Sequence, residues 1–390
     1  MKILFTPSDN NMAGAFQSMV RLCTILKNEY GCEILVLLRK GGTGQQLLDE
    51  NQIPYVKIPS FNWIVPDKPT STFRRIELFV RTVTKPFAKI YNKYAQKRIE
   101  QLIRKEKFDI IHLNTTYIYV PALAALECKV PFVWHLREFL EEDQKKRIWN
   151  KKYGYALISK ADAVITISTS LYQKYKEILP TKTLYKIYNG LDENYYYCPN
   201  HKIFSNNKVK LLMVGTINEA KGQIQAIEAC SSLLMRGIVN FELCIVGDIT
   251  KYASALKKHV EDIGLKEYVK FVGQQRDTVS YYNRSDIVLV CSRFEAFGRV
   301  TVEAMMGGCL VIGSNTGGTV ELIENENTGM LYSCGNSEEL ADKIEIAIKN
   351  VENSRQMAAR GQKFMMENMT ASMNAENIYQ VYRSILGKDQ

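Results

Sequence analysis

Two doubly wound α/β domains, Rossmann-like in character, are what this sequence predicts, and three observations carry the expectation. The chain has 390 residues, too many for one ordinary core and suited to two of roughly 150–200 residues each. It is 46% apolar and 24% charged, the balance of a packed soluble chain and not of a disordered or fibrous one. Short runs rich in β-branched residues alternate with stretches of helical composition from end to end.

In the first half those runs fall at 3–5, 33–38, 110–114, 132–135, 163–168 and 184–188, and in the second at 210–214, 242–246, 269–272, 286–292 and 310–314. Continuous apolar runs of this length read as strands of a parallel sheet buried on both faces. Asn189-Gly190-Leu191-Asp192 and the polar stretch 193–208, with Pro199, interrupt the rhythm. The expected division is therefore a first domain at 1–192, a linker at 193–208, a second domain at 209–370, and a last helix at 371–390. Ligands of open α/β sheets bind at the carboxyl ends of the strands, so two such domains facing each other across a cleft place the chemistry there.

The apolar run at the N-terminus stops after Ile3-Leu4-Phe5, too short for a signal-peptide core or a membrane span, and a cytoplasmic location is expected. The nine cysteines include no C-x-x-C pair and read as reduced core residues. The net charge of +10 is uneven: residues 1–190 hold 30 Lys and Arg against 17 Asp and Glu, while 191–390 hold 21 against 24. An anionic partner for the first half is implied. The basic residues concentrate between 73 and 107, where eleven stand against three acidic ones, with Phe73, Phe79, Phe87, Tyr91 and Tyr94 among them. A stretch of this kind suits anionic lipid headgroups. Pro86 is expected to break or kink any helix there.

The most informative segment runs from the strand at 286–292 through Arg293-Phe294-Glu295-Ala296-Phe297-Gly298 into a helix opening at Arg299, carrying Glu303 and closed by Gly307-Gly308. A strand, a glycine turn and a helix start offer free backbone N–H groups to a diphosphate. Gly298 removes a Cβ where phosphate approaches the backbone. Glu303, one and a half turns into the helix, is suited to accept from both hydroxyls of a ribose, and Glu295 from the sugar itself. The chain has no Asp-x-Asp motif and no His/Cys cluster at metal-ligand spacing, so no metal is expected.

Glu295 and Glu303 flanking Phe297-Gly298, followed by Gly317-Gly318 and Glu321, resemble the signature of family 4 of the retaining glycosyltransferases. Supporting matches occur in order: Asp162-Ala-Val-Ile-Thr-Ile-Ser168, Tyr188-Asn-Gly-Leu-Asp192, Val214-Gly215, Lys221-Gly222, Ile245-Val246-Gly247, Phe271-Val272-Gly273 and Thr328-Gly329-Met330-Leu331. The resemblance implies the GT-B architecture of two Rossmann-like domains across a cleft, with the last helix packing back on the first domain. It implies metal-independent transfer, with retention, of a sugar from a UDP- or GDP-linked donor to an acceptor hydroxyl, and no cofactor. The acceptor it suggests is a lipid-linked saccharide or polysaccharide precursor at the inner face of a membrane.

By the same resemblance Glu295 binds donor-sugar hydroxyls, Glu303 the ribose, and Lys221 the diphosphate. Gly14, Gly215, Gly273, Ala296, Phe297 and Gly298 line the donor, and His135, at the end of the strand 132–135, stands beside the reacting sugar. His112 reads as structural. Two departures matter. Thr216 stands where many members carry a second phosphate-binding arginine, leaving Arg293 or Arg299 to compensate, and Met12-Ala13-Gly14-Ala15-Phe16 keeps one glycine where a pair is usual. The rival readings are a sugar-nucleotide epimerase or a phosphorylase of the same architecture, and a nucleic-acid-binding protein using the basic face. No nucleic-acid module is recognisable, and no G-x-G-x-x-G follows the first strand as a dehydrogenase would require.

Overall fold

The apolar runs become the inner strands of two parallel sheets. A computed structural model describes residues 1–8, 14–69, 71–180 and 183–387. In chain order its strands are β1 (Lys2–Thr6), β2 (Glu33–Leu38), β3 (Tyr55–Lys57), β4 (Ile64–Pro66), β5 (Ile110–Leu113), β6 (Phe132–Leu136), β7 (Lys146–Ile148), β8 (Ala163–Thr166) and β9 (Leu184–Lys186). They continue with β10 (Val209–Val214), β11 (Phe241–Val246), β12 (Val269–Gly273), β13 (Ile287–Val290), β14 (Leu310–Ser314) and β15 (Met330–Tyr332).

One unit holds Met1–Gly190 together with Ala371–Gln390, and the other Leu191–Thr370. In the first, the sheet order is β3-β2-β1-β5-β6-β8-β9, and β4 pairs antiparallel with β7 as a separate ribbon. In the second, the order is β12-β11-β10-β13-β14-β15. Both large sheets are parallel throughout, as strands joined by helical crossovers must be. In each, the strand order reverses direction beside the first strand, β1 or β10, the place where such sheets open to ligands.

The core of the first unit includes the closing helix Ala371–Ile385. Its buried residues Ala371, Ala375, Ile378, Val381 and Tyr382 recur at helical spacing and pack with Met19, Cys23 and Leu26 of the helix Gly14–Asn28. The core of the second unit joins β10 to β14 with the helices Gln223–Met235 and Ser337–Lys349.

Two expectations are corrected, and a third finding concerns strands that the sequence did not announce. Residues 193–208 are not a free linker, because they belong to the second unit from Leu191 onward. There Glu193–Tyr196 is a short helix, Ile203 is buried in the core, and Phe204 N–H donates to Asp286. The aliphatic and aromatic side chains at 196, 203 and 204 pull this polar-looking stretch onto the domain. Second, the helix Thr72–Glu106 continues through Pro86. The proline lies on the exposed side, where water can satisfy the carbonyl deprived of its partner. Third, β3, β4, β7 and β15, three residues each, carry no apolar run long enough to announce a strand; Pro66 sits in a two-stranded ribbon, where the missing N–H is tolerated.

Only the second half of the long helix Thr72–Glu106 buries residues: Asn92, Ala95, Ile99, Glu100 and Ile103. From Phe73 to Tyr94, the side chains Phe73, Ile76, Val80, Val83, Phe87, Ile90 and Tyr94 recur at spacings of three and four and are all exposed, Phe73 at 77% and Ile90 at 73%. That is one continuous apolar stripe on the open face of a helix.

Candidate functional site

The second unit assembles its candidate site where β10, β13 and β14 end. Val290 is the last residue of β13, and the chain turns through 291–298 into the helix Arg299–Met306, which has no side-chain cap at its N-terminus. Gly298 holds φ +97°, a left-handed conformation that a side chain would strain, and its hypothetical Cβ would lie 3.1 Å from Leu322 Cδ1.

Glycines also let the neighbouring loops close on this turn. A Cβ on Gly222 would stand 2.2 Å from the Cys291 carbonyl oxygen, and one on Gly318 would stand 2.4 Å from that of Phe297. The backbone uses this proximity: Arg293 N–H donates to the Ala220 oxygen at 2.8 Å and Gly318 N–H to the Glu295 oxygen at 2.7 Å. The loops after β10, β13 and β14 are thereby tied together.

Within that frame Lys221 and Glu295, 74 residues apart in sequence, meet at 2.5 Å between Nζ and Oε1. Lys221 is placed by the turn Glu219–Lys221, whose first N–H groups are organised by Asn218, with Lys221 N–H 3.0 Å from Asn218 Oδ1. Glu295 also accepts from Ser292 Oγ at 2.7 Å. A positive and a negative side chain therefore stand together beside an uncapped helix start.

Glu303 lies deeper. It is 6% exposed, and both carboxylate oxygens are engaged: Oε2 accepts from the Tyr282 hydroxyl at 2.8 Å, and Oε1 from the Tyr196 hydroxyl at 3.2 Å and Arg299 Nη2 at 3.1 Å. Burial first, and then the nearby carboxylate, push both phenols up from their ordinary range, so both are donors here. Arg299 is thus committed to Glu303, whereas Arg293 is exposed.

Among the remaining expected donor residues, Gly215 and Gly273 close β10 and β12, with a Cβ on the adjacent Gly247 only 1.9 Å from the Gly215 oxygen. Thr216 is exposed and its carbonyl accepts from Gln223 Nε2 at 3.1 Å. Phe297 is buried and Ala296 partly so. Sequence reasoning missed Tyr196, Tyr282 and Thr301. The Thr301 hydroxyl is fully buried at the glycine bend and has no partner among the described residues, a donor in search of an acceptor.

In the first unit, Gly14 opens the helix Gly14–Asn28, and Asn114 Nδ2 reaches the Ala15 oxygen at 3.3 Å. Met12 and Ala13 lie outside the described residues. His135, on β6, is fully buried; its Nδ1 is 3.2 Å from His112 Nε2 and 3.3 Å from Arg137 Nη2. Its Nε2 has no partner among the described residues. Burial, and then the Arg137 charge, hold both histidines well below the usual imidazole range. Among the described residues no three His, Cys, Asp or Glu side chains are grouped to hold a metal ion.

Two parallel α/β units, the second carrying a glycine-turn helix start with a Lys/Glu pair at its strand ends, make up the fold of the GT-B glycosyltransferases. Residues 34–195 match the description Glycosyltransferase Family 4 and residues 200–364 match Glycosyl transferases group 1. Between them the two matches span more than four fifths of the chain, and the protein belongs to this glycosyltransferase family.

An Anabaena protein, HepE, solved in complex with UDP, shares the fold with a TM-score of 0.82 and 24% identity, covering 98% of this chain and 100% of that one. N-acetyl-alpha-D-glucosaminyl L-malate synthase of Bacillus anthracis is 26% identical over 241 residues, which are 60% of this chain and 62% of that relative's length. A Campylobacter jejuni alpha-1,4-N-acetyl-D-galactosaminyltransferase, named for an undecaprenol-diphosphate-linked saccharide substrate, is 23% identical over 362 residues, 91% of this chain and 90% of the relative.

Proposed function

We propose that this chain transfers a hexosyl unit from a nucleoside-diphosphate sugar, with retention of anomeric configuration and without a metal, to a hydroxyl of a lipid-linked saccharide. The observation that carries the reading is the Lys221–Glu295 pair set beside the glycine turn and the uncapped helix start. A diphosphate needs cationic and N–H donors, and a sugar needs an acceptor for its hydroxyls. This one constellation supplies both. The two side chains neutralise each other; an arriving donor takes the ammonium with its phosphates and leaves the carboxylate to the sugar.

In the reaction the bond from the anomeric carbon to the diphosphate oxygen breaks, and its electron pair leaves with the diphosphate. Lys221 and the N–H groups at Phe297 and Gly298 meet that charge as it develops. The acceptor oxygen attaches from the same face, and its proton passes to the departing phosphate. Glu295 holds the sugar hydroxyls, and Thr301 is a further donor at the bend. With Thr216 in place of an arginine and Arg299 held by Glu303, exposed Arg293 is the cation left to assist.

The acceptor side of the reading rests on the first unit's excess of basic residues and on the exposed stripe from Phe73 to Tyr94, a pairing that suits an anionic bilayer surface. No described helix is long and apolar enough to cross a membrane, and the reading is peripheral attachment from the cytoplasmic side. The test is incubation of the purified chain with UDP- and GDP-linked hexoses and lipid-linked saccharide acceptors, with NMR of the product's anomeric proton. Inversion, or conversion of the donor with no acceptor present, overturns the reading.

A further inference from the structure

His135 is joined to a run of buried polar groups contributed by four separate segments of the first unit. Tyr382, on the closing helix Ala371–Ile385, sets its hydroxyl 2.6 Å from His112 Nδ1 on β5. His112 Nε2 faces His135 Nδ1 on β6 at 3.2 Å, and the Arg137 guanidinium reaches the same nitrogen at 3.3 Å. Arg137 is in turn held by Asn114, with Nε 2.8 Å from Oδ1, and by Asn189, with Nη1 2.5 Å from Oδ1. Every one of these side chains is buried.

The chemistry of the donors orders the protons. A guanidinium has only N–H groups to offer and no lone pair, so the nitrogen it meets must accept. His135 Nδ1 is therefore unprotonated, the ring is neutral, and its proton is on Nε2. The same nitrogen can take a hydrogen from His112 only if His112 carries its proton on Nε2. His112 Nδ1 then accepts, and the Tyr382 hydroxyl donates to it. One arrangement satisfies each contact, and it leaves a single group over: the Nε2–H of His135, buried and without a partner among the described residues. An orphaned buried donor costs free energy until an acceptor meets it, so such a group points to a ligand oxygen.

We propose that Tyr382, His112 and Arg137 are positioning residues that fix His135 as its Nε2–H tautomer, so that His135 donates a hydrogen bond to a substrate oxygen and does not act as a general base. The inference rests on the transferase reading above, and extends it by assigning the direction of the proton. A base at this place would need a lone pair on Nε2; here that position is already filled. The charged and titratable groups facing the pair point the same way. Burial first, and then Arg137, oppose protonation of either ring, and His112 further opposes a charge on His135. The Cys23 thiol, on the helix Gly14–Asn28, has its titration pushed well up by burial and adds no charge.

The test uses the full chain labelled with 15N at its four histidines. Two-bond 1H–15N spectra from pH 5.5 to 8 are assigned with His135→Gln and His112→Gln. His135 is expected to show the neutral Nε2–H pattern throughout; an Nδ1–H or imidazolium pattern anywhere from pH 6 to 8 overturns the proposal whether or not any sugar is transferred. Tyr382→Phe removes one hydroxyl and frees the His112 tautomer. It is expected to split or shift the His112 and His135 signals and to lower kcat about fivefold, the worth of one hydrogen bond, with the donor KM nearly unchanged. Unmoved signals in that variant remove Tyr382 from the network. His135→Gln keeps an N–H near Nε2 and is expected to retain clearly more kcat than His135→Ala; equal losses overturn the donor role. A chain that transfers no sugar at all but shows the Nε2–H pattern overturns the transferase reading and the substrate half of this one, while the tautomer assignment stands.

Discussion

The Tyr196 hydroxyl lies 3.2 Å from Oε1 of Glu303, so a tyrosine holds the carboxylate that family resemblance assigns to a ribose. Because Arg299 shares that oxygen and Tyr282 holds the other, on the proposed reading an incoming ribose must displace a donor or share with it. Tyr196 is the displaceable one, since it sits in a four-residue helix with no long element to hold it. Tyr196→Phe is expected to tighten UDP binding by up to about tenfold, because the bond given up on binding, worth about 1.5 kcal/mol for a charged acceptor, no longer exists. Calorimetric titration with UDP reads this directly; weaker binding shows instead that Tyr196 stays and orients Glu303.

Removing Lys221 separates chemistry from stability. Its partner Glu295 is 16% exposed and Lys221 itself 33%, so the pair contributes only about 0–1 kcal/mol to folding. On the proposed reading its contribution to a leaving diphosphate is far larger. Lys221→Ala is expected to leave the urea midpoint almost unchanged while kcat falls by about 100- to 1000-fold. A loss confined to KM shows that Lys221 binds ground state and transition state alike.

Gly318 tests the stitching of the loops. A methyl group there meets the Phe297 carbonyl oxygen at 2.4 Å, with the Phe297 Cα at 2.8 Å, and backbone cannot step aside as a flexible side chain can. Gly318→Ala is expected to cost about 1–3 kcal/mol in stability by urea titration and to lower kcat more than Gly335→Ala. At Gly335, where φ is +90° but nothing stands within 4 Å, the added methyl brings backbone strain without pressing on the turn. Equal effects from the two show that the approach of Gly318 to Phe297 does not shape the site.

The buried histidines set a pH dependence with a definite sign. His112 and His135 are held well below their ordinary range, by burial first and then by Arg137. The unfolded chain therefore binds protons near pH 6.5 that the folded chain refuses. Their contribution is complete above about pH 6.5 and is lost as pH falls below it, with a slope of about 1.4 kcal/mol per pH unit for each ring. Urea titrations between pH 5 and 7.5 are expected to show stability falling toward acid, and His135→Gln to remove about half of that slope. A flat profile means that one or both rings titrate normally in the fold.

Much of the fold was legible because buried parallel strands write themselves as continuous apolar runs: Ile287–Val290 and Leu310–Ser314 are buried at every position. The sequence also marks Gly317-Gly318 and Gly222, whose need for close backbone approach only the structure explains. Tyr196 and Thr301 were not legible. Tyr196 reaches Glu303 across 107 residues, a separation that leaves no periodic trace, and the Thr301 hydroxyl is informative only because nothing satisfies it. The pairing of Tyr382 with His112, 270 residues apart, is invisible for the same reason. Pro86 misled because a local rule about helices assumes a buried or crowded carbonyl, and this one faces solvent.

The stripe on the helix Thr72–Glu106 leads to the last prediction. Phe87 and Ile90 of the stripe, and Phe79 at its edge beside Val80, are 63%, 73% and 68% exposed, so they contribute little to folding, and large apolar side chains left in water at helical spacing indicate a surface that something covers. Charge selects what covers it. Arg75, Lys89, Lys93 and Lys97 are also exposed and border the stripe, which disfavours a second copy bearing the same cations and favours anionic headgroups, at about 1 kcal/mol for each basic residue near the surface. Phe79→Glu with Phe87→Glu is expected to abolish co-sedimentation with phosphatidylglycerol vesicles at low salt, while circular dichroism, the urea midpoint and turnover of a water-soluble acceptor stay as they were. Raising the salt to 0.5 M is expected to weaken the unaltered chain's attachment only partly, because the apolar contribution is not screened. Attachment that survives the double substitution, or that vanishes entirely with salt, shows that basic residues alone hold the chain and that the stripe serves another partner.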